Sequence, residues 1–201
     1  MKIIVVGGSG TIGQAIVSEL KKRHEVIVAS HKHGDVQVDI EDLKSIERMY
    51  QMIGKVDAVI SAIGKFHFGE MVKMTSDDYF VGINNKLMGQ INLVLVGLHH
   101  INDNGSFTLI SGTLSHDPVR YCSSASMVNA AIDGFVVGAA IEMPRSIRIN
   151  AVSPTIVTES MVKYAEYFRG FEPVSSACVA LAFSKSVEGA QTGQVYKVGY
   201  N

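Results

Sequence analysis

The sequence predicts one α/β domain built on a doubly wound parallel sheet. Three observations carry this prediction. Strand-like and helix-like stretches alternate from end to end. The short apolar runs are β-branched and continuous, as in strands covered on both faces. The length, 201 residues with 47% hydrophobic and 18% charged, suits one domain with a substantial core.

Ile3 to Val6 is the first strand, stopped by Gly7-Gly8. A helix follows over Ile12 to Lys22, with Ile12, Ala15, Ile16 and Leu20 at helical spacing. Glu25 to Ala29 and Val36 to Ile40 read as the second and third strands, separated by the polar loop Ser30 to Gly34. A parallel crossover normally needs a dozen or so residues and a helix, so the chain is shortened at this point. Asp42 to Met52 is a helix with Leu43, Ile46, Met49 and Tyr50 on one face, and Val56 to Ser61 is the fourth strand. Thr75-Ser76-Asp77-Asp78 supplies a cap and acids for a long apolar helix reaching about Ile101. Phe107 to Ser111 is the fifth strand. Ser124 to Glu142 is a helix that Pro144 helps to end, and Arg148 to Val152 is the sixth strand. Residues 155–174 are mixed and aromatic. Ser176 to Phe183 is a short helix, and Gln194 to Val198 is the last strand.

Composition excludes several classes of partner. A net charge of −1, from 18 basic and 19 acidic residues, argues against nucleic acid or anionic membrane. Cys122 and Cys178 are too few for a disulfide framework, which fits a reducing, cytoplasmic setting. The first apolar run is too short for a signal peptide. The densest later one, Ile91 to Leu98, falls well below the ~20 residues of a membrane span. The adjacent His99-His100 pair is poorly spaced for a ligand set on a helix, so no metal site is expected.

The turn after the first strand reads Gly7-Gly8-Ser9-Gly10-Thr11-Ile12-Gly13. Glycines at positions 7, 10 and 13, between a strand and a helix, allow close approach of a ligand to the backbone. Free N–H groups and the helix dipole there suit a dinucleotide pyrophosphate. A tight turn that binds nothing would also explain the spacing.

Further segments resolve that choice together. Asp39-Ile40, Ser61-Ala62-Ile63-Gly64, Leu109-Ile110-Ser111, Arg148-Ile149-Asn150-Ala151-Val152-Ser153-Pro154 and Thr192-Gly193-Gln194-Val195 follow in order along the chain. In order and spacing they resemble the short-chain dehydrogenase/reductase family. The resemblance covers nearly the whole chain and implies a Rossmann-like fold. Asp39 and Ile40 stand where the family contacts adenine. Ser61, Ala62 and Gly64 stand at its Asn-Asn-Ala-Gly turn, and Ser111 stands at its catalytic serine. Pro154, Val157 and Thr158 fall where the family anchors nicotinamide, although Thr158 comes one residue early. With Gly7, Ser9, Gly10, Thr11, Ile12 and Gly13, these are the expected cofactor contacts. The second strand ends in Ala29-Ser30-His31-Lys32-His33, with no acid to bind a ribose 2′-hydroxyl. That basic corner, His31 included, favours NADP(H) over NAD(H).

The family's chemistry is hydride transfer between nicotinamide and a carbonyl or alcohol carbon. Its Tyr-x-x-x-Lys motif is absent, because no tyrosine of this chain has a lysine four residues later. Matching the helix Ala130-Ala131-Ile132-Asp133-Gly134-Phe135 to the family places Ala125 at the tyrosine position and Asn129 at the lysine position. The family's helix asparagine falls on Lys86. Lysine and asparagine are thus exchanged, as is seen in polyketide synthase ketoreductase domains, which keep the tyrosine. Ser111 fits the serine position only with a one-residue insertion, since regular spacing selects Gly112.

The proton donor is therefore open. Tyr121, one helical turn before Ala125, reaches the site only if the helix starts early or its loop folds inward. His116 is an acid–base candidate by residue type but reads as a surface loop residue. Tyr164 and Tyr167 fall in a lid, which is expected over roughly residues 153–175. Lys86 is a proton donor, a ribose ligand or one half of a salt bridge. The leading expectation is an atypical reductase of a small carbonyl, with Ser111, Lys86, Asn129 and Tyr121 as catalytic candidates. The alternative is a nicotinamide-binding sensor or scaffold without turnover. Apolar residues on several faces of the two long helices, with the family's habit of pairing them, imply a homodimer or homotetramer.

Overall fold

A computed structural model describes residues 1–201. Seven parallel strands form one sheet in the order β3-β2-β1-β4-β5-β6-β7. They are β1 (Lys2–Val6), β2 (Glu25–Ser30), β3 (Val36–Gln37), β4 (Val56–Ser61), β5 (Ile101–Ile110), β6 (Arg148–Pro154) and β7 (Val195–Val198). The helices are α1 (Thr11–Leu20), α2 (Leu43–Ile53), α3 (Ser76–Gly82), α4 (Gly89–Gly97), α5 (Ser123–Ala140), α6 (Met161–Tyr164) and α7 (Ser176–Glu188).

The sheet is covered on both faces, and β1 shows why its sequence does not alternate. Ile4 and Val6 join a core cluster with Ile46, Met49 and Tyr50 of α2, Leu93 and Val94 of α4, and Ile132 and Val136 of α5. Ile3 and Val5 point the other way, to Ile16 and Leu20 of α1 and Val179 and Phe183 of α7. Successive residues of a strand face opposite layers, so both must be apolar.

Several elements differ from their expected bounds. The third strand pairs only at Val36 and Gln37, with Ala29 and Ser30. Val38 still donates its N–H to Ser30 O at 3.0 Å, and Asp39 and Ile40 leave the sheet. β2 and β3 are parallel with five residues between them and no helix. Asp35 makes this possible: its N–H donates to Val28 O, and its carboxylate accepts from Val28 N, both at 2.8 Å. One residue thus satisfies both main-chain groups of Val28 at the sheet edge, in place of a longer strand.

The helix expected from Thr75 to Ile101 begins with a capping box formed by Thr75 and Asp78. It is interrupted by a wide π turn over Ile83–Met88 and ends at Gly97. β5 takes up the chain at Ile101, earlier than predicted, and ends at Ile110, so Ser111 lies just beyond it. α5 stops at Ala140, four residues before Pro144, so proline is not its terminator. β6 runs on to Pro154, and α7 extends to Glu188, where Gly189 follows. No helix is long and apolar enough to cross a membrane.

Candidate cofactor and active site

A cleft lies at the carboxyl ends of the central strands, the usual ligand position in an open parallel sheet. It has two cavities that share Ala62, Ile63 and Gly64.

The first cavity, of about 430 Å³, is walled by Gly7, Ser9 and Gly10 after β1, Ser30 and His31 after β2, Asp39 and Ile40, and Asn85. Gly7 has φ +84°, and a β-carbon there would lie 2.2 Å from Ile63 Cγ2, so only glycine fits between loop and strand. A β-carbon on Gly13 would lie 2.0 Å from Gly7 O, so that residue sets the packing of α1 on its own loop. Gly10 is the N-cap of α1 and no side chain caps the first turn. The donors of that turn remain for an anion at the positive end of the dipole. A dinucleotide pyrophosphate fits this cradle. At the far corner His31 Nε2 is 3.9 Å from Asp39 Oδ2.

The second cavity, of about 290 Å³, brings together residues far apart in sequence. Ser111, Gly112 and Thr113 come from the end of β5, Lys86 from the π turn, Asn129 from α5, and Pro154, Thr155 and Val157 from the end of β6. Phe66, Leu114, Ile156 and Phe168 complete an apolar wall.

Lys86 owes its place to the π turn, which re-aims one side chain inward. Gln90, fully buried, holds that turn. Its Nε2 donates to Lys86 O at 2.9 Å and Ile110 O at 3.0 Å, and its Oε1 accepts from Ile110 N at 2.9 Å. The ammonium donates to Ser111 O at 2.9 Å and lies 5.3 Å from the centre of the Phe66 ring. Burial pushes its pKa down to about 8, and the charge of Asp133 limits the fall.

Gly112 sits at φ +154°, ψ +159°, a region that only glycine enters readily. There its carbonyl accepts from Asn129 Nδ2 at 3.2 Å and Ser115 Oγ at 3.1 Å. Ser111 Oγ, Thr113 Oγ1 and Asn129 Oδ1 are buried without a partner, which points to a polar guest.

Asp133, one turn after Asn129, was not legible as a site residue. Its Oδ2 lies 3.2 Å from Ser115 Oγ, whose single proton it shares with Gly112 O, and 3.7 Å from His116 Nε2, while Oδ1 is buried and unpartnered. Burial raises its pKa. The nearby hydroxyls of Ser111 and Ser115, of which only that of Ser115 is at hydrogen-bonding distance, and the charges of His116 and Lys86 act against that rise.

The remaining expected residues fall outside both cavities or at their edges. Ile12 lines the second, whereas Thr11, Gly13, Ser61 and Thr158 line neither. Thr158 is exposed, and Thr155 and Ile156 occupy the wall instead. Tyr121 is not brought to the site. α5 starts two residues after it, its φ is +68°, and its ring, 41% exposed, lies edge-on to Tyr167 outside the cavity. Ala125 is fully buried, in a cluster with Leu114, Cys122 and Phe168.

Similarity to known proteins agrees with this geometry. A family model described as Enoyl-(Acyl carrier protein) reductase matches residues 8–195. The crystal structure of the protein lin1944 from Listeria innocua is 50% identical, with a TM-score of 0.97 over 98% of this chain and 99% of that one. A small-chain dehydrogenase solved in complex with NADPH is 26% identical, with a TM-score of 0.89 over 98% of this chain and 96% of that one. Versicolorin reductase 1 of Dothistroma septosporum is 26% identical over 198 residues, covering 86% of this chain and 74% of that protein. With a parallel sheet, a glycine cradle and a family match over nearly its full length, the chain belongs to the short-chain dehydrogenase/reductase family of oxidoreductases.

Proposed function

We propose that this chain is an atypical member of its family that moves a hydride between NADP(H) and a small carbonyl or alcohol, with Lys86 as the proton donor. The observation that carries this reading is the buried Lys86 ammonium in one cavity with Ser111 and Asn129.

The bound nicotinamide supplies or accepts the hydride. The chain's own groups do the rest. Lys86 spends one N–H on Ser111 O, and its others remain for a substrate oxygen or a ribose hydroxyl. A pKa of about 8 suits proton transfer near neutrality. The Ser111 hydroxyl polarises the same oxygen, and Asn129 Oδ1 holds a water or a ribose hydroxyl. Phe66, Leu114, Ile156 and Phe168 keep bulk water from the reacting atoms. The segment of roughly 153–175 acts as the lid, since Ile156 and Phe168 come from it.

NADP(H) is favoured by the acid-free end of β2, where His31 borders the first cavity and Lys32 and His33 follow. The NADPH complex of a structural relative supports the same choice. Leu95, Val137 and Ile141 are exposed on or just after α4 and α5, which supports a homodimer or homotetramer. Ala125 favours a second reading, a nicotinamide-binding protein without turnover, because its methyl group leaves no hydroxyl at that helix position.

Fluorescence titration with NADPH and NADH, followed by absorbance of the reduced cofactor against a carbonyl panel, separates these readings. Tighter binding of NADPH and its oxidation by at least one carbonyl are expected. Binding with no oxidation across the panel leaves the second reading, and binding of neither nucleotide overturns both.

A further inference from the structure

We propose that Asp133 is a positioning residue of this site: a buried counter-charge behind the Ser111 loop that holds Lys86 protonated where it meets the substrate oxygen. The inference rests on the reading of Lys86 as proton donor.

A continuous set of contacts joins the two side chains. Lys86 Nζ donates to Ser111 O at 2.9 Å. The next carbonyl, that of Gly112, accepts from Ser115 Oγ at 3.1 Å, and the same Ser115 hydroxyl lies 3.2 Å from Asp133 Oδ2. Asn129, one turn before Asp133 on α5, closes the set by donating to the same Gly112 carbonyl at 3.2 Å. The carboxylate is therefore fixed behind the loop that carries Ser111, without lining the cavity.

Chemistry asks for such a group. A lysine buried in an apolar wall loses its proton unless a negative charge is near. Each reduction takes one proton from the Lys86 ammonium to the new hydroxyl and leaves a neutral amine, which must regain a proton from solvent before the next turnover. Asp133 favours that recharging. The groups facing Asp133 are Ser115 and His116 from the loop after β5, Lys86 and Ser111 from the cavity side, and Tyr200 near the C-terminus, whose ring lies 5.5 Å from Lys197 Nζ. Facing Lys86 are Asp133 and the Phe66 ring. The Asp133 side chain is only 15% exposed, so solvent screens the interaction weakly.

The test is a pH titration of the cofactor-free chain by NMR, with carbon-13 in lysine Cε and aspartate Cγ. The Lys86 resonance is assigned by its loss in Lys86→Met. Asp133→Asn is expected to lower the Lys86 midpoint by about half a pH unit or more. Asp133→Glu is expected to restore most of it. Ser115→Ala removes a hydrogen bond but no charge, and is expected to leave the midpoint in place. In the unmodified chain the Asp133 carboxyl resonance is expected to inflect at the Lys86 midpoint, a readout that does not need Asp133→Asn to fold. An unmoved midpoint in Asp133→Asn, an equal movement in Ser115→Ala, or no inflection in the Asp133 signal would overturn the proposal. These titrations use neither cofactor nor carbonyl. Their failure leaves the proposed reaction standing, and a lack of turnover leaves them intact.

Discussion

Lys86 is a charged side chain only 6% exposed, and that position has a pH signature in stability. Its pKa is about 8 in the folded chain against 10.5 for the free side chain. Below about pH 8 the folded state carries the full cost of burying the charge. As pH rises toward 10.5 the unfolded chain holds more protons than the folded one, so stability rises. Across that window unmodified protein is expected to gain roughly 1–3 kcal/mol relative to Lys86→Met in urea unfolding. Parallel stability curves for the two proteins would place the lysine in contact with water. At the other end of the cleft, His31→Ala and Lys32→Ala are expected to weaken NADPH several-fold in fluorescence titration and to leave NADH unchanged. An equal loss for both nucleotides would mean that the corner does not read the 2′-phosphate.

Helices carry the site by specific clamps. Gln90→Leu removes the amide that ties the π turn to the end of β5 and strands two main-chain groups of Ile110. A cost of about 1–3 kcal/mol is expected in urea unfolding, with weakened turnover because Lys86 loses its support. A second clamp joins the turn after α1 to the end of α7. The Glu188 carboxylate receives Arg23 at 2.9 and 3.2 Å and His24 at 2.8 Å. Hydrogen bonds from Arg23 and then Ser184 pull its pKa down to about 2. The clamp contributes above the ordinary carboxylate range and is lost as pH falls toward 2. Glu188→Gln is expected to cost about 1 kcal/mol at pH 7, with the difference from unmodified protein vanishing near pH 2. What could be read from sequence follows the same division. The glycine loop lies in one segment, so its spacing is legible locally, while the choice of a phosphate cradle over a bare tight turn rests on the other segments of the chain. The central strands β1, β4 and β6 were legible because both of their faces are buried. Asp133, Thr113 and Phe168 reach the site only through the packing of α5, the loop after β5 and the lid, which no local spacing records. The π turn was invisible because its cause, Gln90, bonds to a strand twenty residues away. The short β2–β3 connection was noticed as an anomaly, but its solution depends on where the Asp35 side chain points.

On the scale of the whole molecule, the parallel sheet brings every functional group to one edge. Loops after β1, β2 and β4 wall the first cavity, and those after β5 and β6 wall the second. Ala125 of α5 is buried beside Leu114, Cys122 and Phe168, and Lys86 enters the second cavity from the π turn. Leu95, on α4, is 52% exposed and Val137, on α5, is 55% exposed, leaving an apolar face beside this machinery. Light scattering after size exclusion is expected to return two or four times the 21.7 kDa chain mass, with Leu95→Glu plus Val137→Glu shifting it toward one. A monomer at all concentrations would contradict this association. The claim that Lys86 gives the proton is tested most directly by comparing Lys86→Met with unmodified protein, reading NADPH binding and carbonyl-dependent NADPH oxidation in parallel. The variant is expected to bind NADPH within about tenfold of unmodified protein, yet lose 10²–10⁴-fold in turnover, roughly the worth of a positioned acid. Turnover within a few-fold of unmodified protein would place the proton donor elsewhere.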